Sequence, residues 1–240
     1  MEWKDTAIVL HLNRYNDSLT IVSCMTSKYG VCKGAIKNTK NGRTASAIGN
    51  IISVSWRGRL EGHLGRFDIM SYESIYPFVY ESKEKMNSIM SLCDLFNTSL
   101  APKEPNKVLY DYLEDFLYAI KYQEKDWLKR LLFIELELIS HMGFGLDITK
   151  CAVSGETTNL EYISPKTGRA ISKTIGDPYE SKLFKLPKIF QDFASSYSND
   201  EILYALKITK YFLEKNITLP ESRNNLEQAL ERTLEVMKTS

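Results

Sequence analysis

At Pro77 the hydrophobic period of this chain changes from two to 3.6, so no single secondary-structure class accounts for it. Before that point Thr6 to Leu12 and Leu19 to Thr26 are runs of Ile, Val, Leu and Thr, separated by the turn-like Asn13 to Ser18. β-Branched runs around such a turn predict a hairpin. A third strand is expected from the Tyr29-Gly30 turn through Ile36, a basic loop from Lys37 to Thr44, and a fourth strand where Ile52, Val54 and Trp56 alternate. A fifth falls within Leu64 to Tyr72. Seven of the twelve glycines lie between Gly30 and Gly65, which suits short strands and tight turns. Five such strands predict a small closed barrel, with the OB-fold as template; an SH3-like barrel meets the same count.

Beyond Pro77, apolar sets at Ile89, Leu92, Cys93 and Phe96 and at Val108, Leu109, Tyr112, Leu113, Phe116, Leu117 and Ile120 predict two amphipathic helices separated by Pro102 and Pro105. A third runs from Trp127 to Met142, closed by Gly143 and Gly145. Residues 146–176 are an insert of turns and short strands, punctuated by Ser154-Gly155, Pro165 and Thr167-Gly168. Helices resume near Ile189, from Asp200 to Leu213 and from about Ser222 to Met237, the last with Leu226, Leu230, Leu234 and Met237 on one face. The expected fold is α+β and multidomain. An N-terminal five-stranded OB-fold barrel occupies 1–78. An α-helical bundle occupies 79–240, interrupted at about 146–176 by a small ribbon-like β insert without metal. The 240-residue length suits two compact units, with the seam between Tyr76 and Ser82.

Charge is segregated along the chain. Between Lys28 and Arg66 eight Lys/Arg (Lys28, Lys33, Lys37, Lys40, Arg43, Arg57, Arg59, Arg66) face one acid, Glu61, whereas residues 67–240 hold 21 bases and 26 acids. A local surplus of this size points to a polyanion, although a charge run also fits a merely solvated face. Phosphates bind such a surface through counterion release without a fixed motif, and nearby rings add base stacking. Arg14, in the first turn, joins these eight cations as a candidate contact, as does Tyr29, whose Lys-Tyr-Gly turn leaves packing and stacking both open. Tyr15 is a further ring of interest. Trp56 alternates with Ile52 and Val54 and belongs first to the core. Arg57 and Arg59 flank Gly58 at a strand end, where burial without a partner is too costly, and are the strongest candidates.

Catalytic signals are missing. His11, His63 and His141 are scattered without metal-site spacing, no nucleophile elbow or phosphate-cradling glycine loop occurs, and the adjacent Glu114 and Asp115 fall inside a helix. No enzyme activity and no cofactor are expected. Cys24, Cys32, Cys93 and Cys151 form no CxxC pair, so reduced thiols are expected. Cys151-Ala-Val-Ser154-Gly155 has the outline of a zinc knuckle, but its second ligand position is Ser154 and the later strand offers only Ser172. One thiolate cannot hold structural zinc, which leaves a metal-free ribbon remnant or a hairpin that never held metal. No apolar run approaches the roughly 20 residues needed to span a bilayer, and Glu2 and Asp5 break the order of a signal peptide, so a cytoplasmic protein is expected.

Several stretches are similar to the bacterial RecO family of DNA repair proteins. They are Glu2-Trp3-Lys4-Asp5 before Ile8-Val9-Leu10, Thr26-Ser27-Lys28-Tyr29-Gly30, Lys33-Gly34-Ala35 and Trp56-Arg57-Gly58-Arg59-Leu60. More specific are Gly143-Phe144-Gly145-Leu146-Asp147 running into Cys151 to Gly155, and Tyr162 to Ala170, where many members carry a four-cysteine zinc ribbon. The resemblance covers essentially the whole chain. It implies a recombination mediator of the RecF pathway, acting at the nucleoid. Such a protein binds single- and double-stranded DNA and anneals complementary strands. With RecR, and in some members RecF, it helps load RecA on DNA covered by single-stranded DNA-binding protein (SSB). The acidic SSB tail would seek an apolar groove rimmed by bases, for which Lys129 and Arg130 are candidates. Missing zinc ligands remove metal dependence, and the few arginines from Lys37 to Thr44 predict modest DNA affinity. A protein-only adaptor with a degenerate barrel and an RNA-binding OB-fold protein are the alternatives.

Overall fold

The computed structural model describes residues 1–59 and 64–239, without the side chains of 233–239. Leu60, Glu61, Gly62 and His63, and the side chains of Leu234 and Met237, therefore lie outside the described residues. Five strands, β1 (Glu2–Arg14), β2 (Leu19–Thr26), β3 (Gly30–Lys37), β4 (Ile51–Arg57) and β5 (Gly65–Glu73), close a barrel in the order β1-β2-β3-β5-β4. Every pairing is antiparallel except β3 with β5, which is parallel through Gly34↔Gly65 and Ala35↔Arg66. This is the Greek-key closure of an OB-fold rather than an SH3-like barrel.

The stretch from Lys37 to Thr44 differs from the loop expected there, because it contains a short helix, α1 (Lys40–Ala45). Thr39 is extended and its Oγ1 accepts a hydrogen bond from the Gly42 amide at 3.0 Å, so the first turn is capped. Six residues carry no readable hydrophobic period, which is why the sequence pattern does not disclose it. Inside the barrel Val9, Val22, Ile36, Val54, Trp56 and Phe67 pack together, Trp56 being 5% exposed as its alternation predicts. The closure requires glycine: a Cβ on Gly65 would lie 2.1 Å from Trp56 Cε2, and one on Gly34 would lie 2.6 Å from Phe67 Cδ2.

The helices follow the 3.6-residue period: α2 (Lys83–Ser99), α3 (Lys107–Lys121) and α4 (Trp127–His141). Ser82 caps α2 by accepting from Lys85 N at 3.3 Å, and Asn106 caps α3 by accepting from Leu109 N at 3.0 Å. A three-stranded sheet then forms from β6 (Leu160–Ile163), β7 (Ala170–Ser172) and β8 (Phe184–Lys185), in the order β7-β6-β8. The remaining helices are α5 (Lys173–Gly176), α6 (Lys188–Gln191), α7 (Asn199–Asn216) and α8 (Glu221–Thr239). Among the described residues no helix is long and apolar enough to cross a membrane.

The chain divides into two compact units, Met1–Trp127 with Pro220–Ser240, and Leu128–Leu219. In the first, α8 returns onto α2: Ser222 donates to Asp94 Oδ2 at 2.6 Å, Asn87 donates to the Asn225 carbonyl at 3.2 Å, and Leu226 is fully buried. In the second, buried Leu131, Leu132 and Leu138 of α4 and Leu206 and Phe212 of α7 supply much of the core, and Thr209 donates its hydroxyl to buried Glu135.

Candidate nucleic-acid interface

The β2–β3 turn is fixed from both sides. Asp5 on β1 accepts from Ser27 Oγ at 2.7 Å and from Lys28 N at 2.8 Å, and Thr26 Oγ1 accepts from Tyr29 N at 2.9 Å. Gly30 has φ +67°, and a Cβ there would meet the Glu104 carbonyl at 2.2 Å. That close approach lets the segment before α3 dock on the turn, with Lys103 N donating to the Val31 carbonyl at 2.9 Å. Held this way, Tyr29 stacks on Trp3 (centroids 4.5 Å apart, 21° between planes), and Trp3 stacks on Trp56 at 5.7 Å and 10°.

Along β3 the strand period of two sends Lys33, Ala35 and Lys37 outward while Cys32, Gly34 and Ile36 face in. Lys33 and Lys37 are therefore about 13 Å apart on one face. Three depressions follow this strand. One holds Lys28, Tyr29 and Lys33; the next holds Ala35, Arg57, Arg59 and Arg66; the third holds Lys37 and Arg66 beside Thr39, Asn41 and Gly42 of the α1 turn. Ala35↔Arg66 in the barrel closure brings β5 beside β3, and Arg57↔Arg66 brings β4 beside β5. The structure thus gathers Lys28, Tyr29, Lys33, Lys37, Arg57, Arg59 and Arg66 along one track, with exposed Lys40 and Arg43 on α1 at its end.

Arg14 reaches the same end by another route. Asn38, just after β3, donates to the Asn16 and Asp17 carbonyls at 3.0 and 3.1 Å and accepts from Thr20 Oγ1 at 2.6 Å, tying the β1–β2 loop to the approach to α1. Three of the arginines are paired: Arg14 with Asp17 at 2.6 Å, Arg57 with Glu2 at 3.1 Å and Arg66 with Asp68 at 3.0 Å. All three pairs are exposed, so each contributes about 0–1 kcal/mol and yields to a phosphate. Trp3, Asn38 and Lys103 were not singled out as site residues by the sequence. Only the flanking Pro102 and Pro105 marked the neighbourhood of Lys103, and strand register, not local pattern, places Trp3 against Trp56.

In the second unit, partly exposed Lys129 of α4 donates to the Ser195 carbonyl at 3.1 Å, and Arg130 follows it on the same helix. Phe133 packs edge-on against Phe193 at 5.5 Å nearby. In the ribbon-like element Cys151 Sγ accepts from the amides of Ser154 at 3.5 Å and Ser172 at 3.2 Å. Burial alone would raise this thiol, but the hydroxyls and amides of Ser154 and Ser172 favour the thiolate and bring it down to about 6. One thiolate among hydroxyls does not fit structural zinc, and among the described residues no three His, Cys, Asp or Glu side chains come together as metal ligands.

Residues 1–78 match the family model described as Recombination protein O N terminal, and residues 82–224 match Recombination protein O C terminal. Three curated relatives are each named DNA repair protein RecO. That of Wolbachia sp. subsp. Drosophila simulans (strain wRi) is 37% identical over 235 residues, covering 93% of this chain and 98% of the relative. That of Ehrlichia chaffeensis is 35% identical over 225 residues, covering 90% of each chain. That of Bartonella bacilliformis is 30% identical over 223 residues, covering 92% of this chain and 90% of the relative.

Proposed function

The chain belongs to the RecO family of DNA repair proteins, and from that premise we propose that it is a non-catalytic recombination mediator whose barrel binds single- and double-stranded DNA and anneals complementary strands. The observation that carries the reading is the row of cations along β3, β5 and α1. Annealing requires a surface that screens repulsion between two phosphate backbones while leaving base edges free. An outward row of Lys33, Lys37 and Arg66 meets phosphates side-on. Lys28, Lys40, Arg43 and Arg59 extend it, and Arg14, Arg57 and Arg66 bind once a phosphate displaces Asp17, Glu2 or Asp68. With RecR, and RecF where it takes part, the protein would help load RecA on SSB-coated single strands at the nucleoid. Lys129 and Arg130, beside the apolar Phe133–Phe193 contact, are the proposed rim for the acidic SSB tail.

The adaptor alternative draws on the three paired arginines. Exposed pairs are too weak to withhold them from a polyanion, which favours the DNA reading. The test is the annealing rate of two complementary labelled strands with wild type and with Lys37→Glu/Lys40→Glu/Arg43→Glu. Wild type is expected to accelerate annealing and the variant to lose the acceleration. Equal rates with and without wild-type protein would refute the proposal.

A further inference from the structure

We propose that the depression over Trp3 and Tyr29 holds one unstacked base of a single strand, with Lys28 and Lys33 at its rim on the flanking phosphates. The inference rests on the DNA-binding reading above and adds a base-stacking site to it. Tyr29, Trp3 and Trp56 form a ladder of nearly parallel rings that runs from the barrel core, where Trp56 is 5% exposed, to the surface, where Tyr29 is 37% exposed. A base continues such a ladder through its π-face whatever its identity.

The cavity measures about 360 Å³, enough for one small planar ligand. Its apolar wall is completed by Cys32 and Pro105, and the charged residues at its rim are Lys28, Lys33, Lys103 and Glu2. Glu2, paired with Arg57 Nε at 3.1 Å and Ser55 Oγ at 3.3 Å, is outnumbered by Lys28, Lys33 and Lys103, so the rim favours an anion beside the rings whether or not that pair opens. A nucleotide is an aromatic plane next to a phosphate, which matches both features. The wall is also pre-set: Asp5 accepts from the Ser27 hydroxyl and the Lys28 amide, and Gly30, lacking a Cβ, allows the Glu104 backbone to close against the turn. Preformed walls reduce the ordering cost of binding. Lys33 belongs both to this cavity and to the outward row that leads to Lys37, so a strand tracking β3 is delivered to the rings. Bases stacked inside a duplex cannot reach them, which makes the cavity a device for telling single from double strands.

The experiment compares an oligo-dT, an abasic strand with the same number of phosphates and a duplex, each by fluorescence anisotropy, for wild type, Tyr29→Ala and Tyr29→Phe. Urea unfolding of each variant checks that the barrel is intact. Tyr29→Ala is expected to weaken oligo-dT binding about 10-fold, Tyr29→Phe to retain it, and neither to change binding of the abasic strand or the duplex. Equal affinity of wild type for oligo-dT and the abasic strand overturns the base site while leaving the cationic track standing. So does wild-type affinity of Tyr29→Ala for all three. Failure of wild type to bind any of them overturns the DNA-binding reading together with the base site. An acidic peptide ending in an aromatic residue that binds wild type and loses affinity with Tyr29→Ala, while strand binding stays unchanged, reassigns the cavity to a protein partner.

Discussion

Replacing Gly65 with alanine places a methyl group 2.1 Å from Trp56 Cε2 and 2.2 Å from its Nε1, where ordinary contact begins at 3.4 Å. Restoring ordinary contact from 2.1 Å to 3.4 Å requires the indole to retreat by about 1.3 Å. It is buried, and Trp3 stands behind it at 5.7 Å. Overpacking of that kind costs about 1–3 kcal/mol. The retreat also breaks the bond from Trp56 Nε1 to the Lys33 carbonyl at 3.3 Å, worth about 1 kcal/mol. Gly65→Ala is therefore expected to destabilise the barrel by about 2–4 kcal/mol. Urea unfolding followed by circular dichroism measures the loss, and a cycle with Trp56→Leu assigns it. With the indole gone, Gly65→Ala should cost less than about 1 kcal/mol, a coupling of roughly 2 kcal/mol. A Gly65→Ala protein within about 0.5 kcal/mol of wild type, or the same cost in both backgrounds, would refute the closure argument. The outcome bears on function, because this closure sets Arg66 beside the outward row of β3.

The remaining predictions concern the buried thiols and the ribbon-like element. The folded Cys151 thiol titrates at about 6, below its ordinary 9.0, so the thiolate stabilises the fold: the contribution is complete above pH 9 and is lost as pH falls through 6. Urea midpoints of wild type should rise across that window relative to Cys151→Ala, and parallel curves would contradict the hydrogen-bonded thiolate. Cys32, raised to about 11 by burial, destabilises only above pH 9, as the unfolded thiol ionises, so the two windows separate. Prolonged chelation is expected to leave the unfolding midpoint unchanged, since a single thiolate does not retain zinc. A midpoint that drops on chelation and recovers with added zinc would show that ligands other than Cys151 hold a metal.

Periodicity disclosed what depends on neighbours in sequence. Ile52, Val54 and Trp56 alternate because β4 has one face in the core, and Leu113, Phe116, Leu117 and Ile120 recur at helical spacing because α3 buries one stripe. The five barrel strands and the longer helices were legible for that reason. Helix α1 was not, since it depends on the cap at Thr39 rather than on an apolar stripe, and β8 is only two residues long. The cations of the candidate site were visible as a charge surplus, but their pairing was not. Glu2 meets Arg57 only because β1 and β4 run antiparallel in the register that also sets Trp3 against Trp56. Likewise Lys103 reaches the Tyr29 cavity through a positive-φ glycine seventy-odd residues earlier in the chain. Such long-range pairings follow from register and close approach, which no window of local sequence contains.

The most direct test of the cationic track is the salt dependence of single-strand binding, measured by fluorescence anisotropy of a labelled oligonucleotide for wild type and Lys33→Ala/Lys37→Ala. Wild type should show log affinity falling linearly with log salt at about −0.7 per phosphate contacted, and removing two cations should flatten the slope by about 1.4. No binding by wild type at low salt, or an unchanged slope in the variant, would contradict the claim that the outward face of β3 carries the strand.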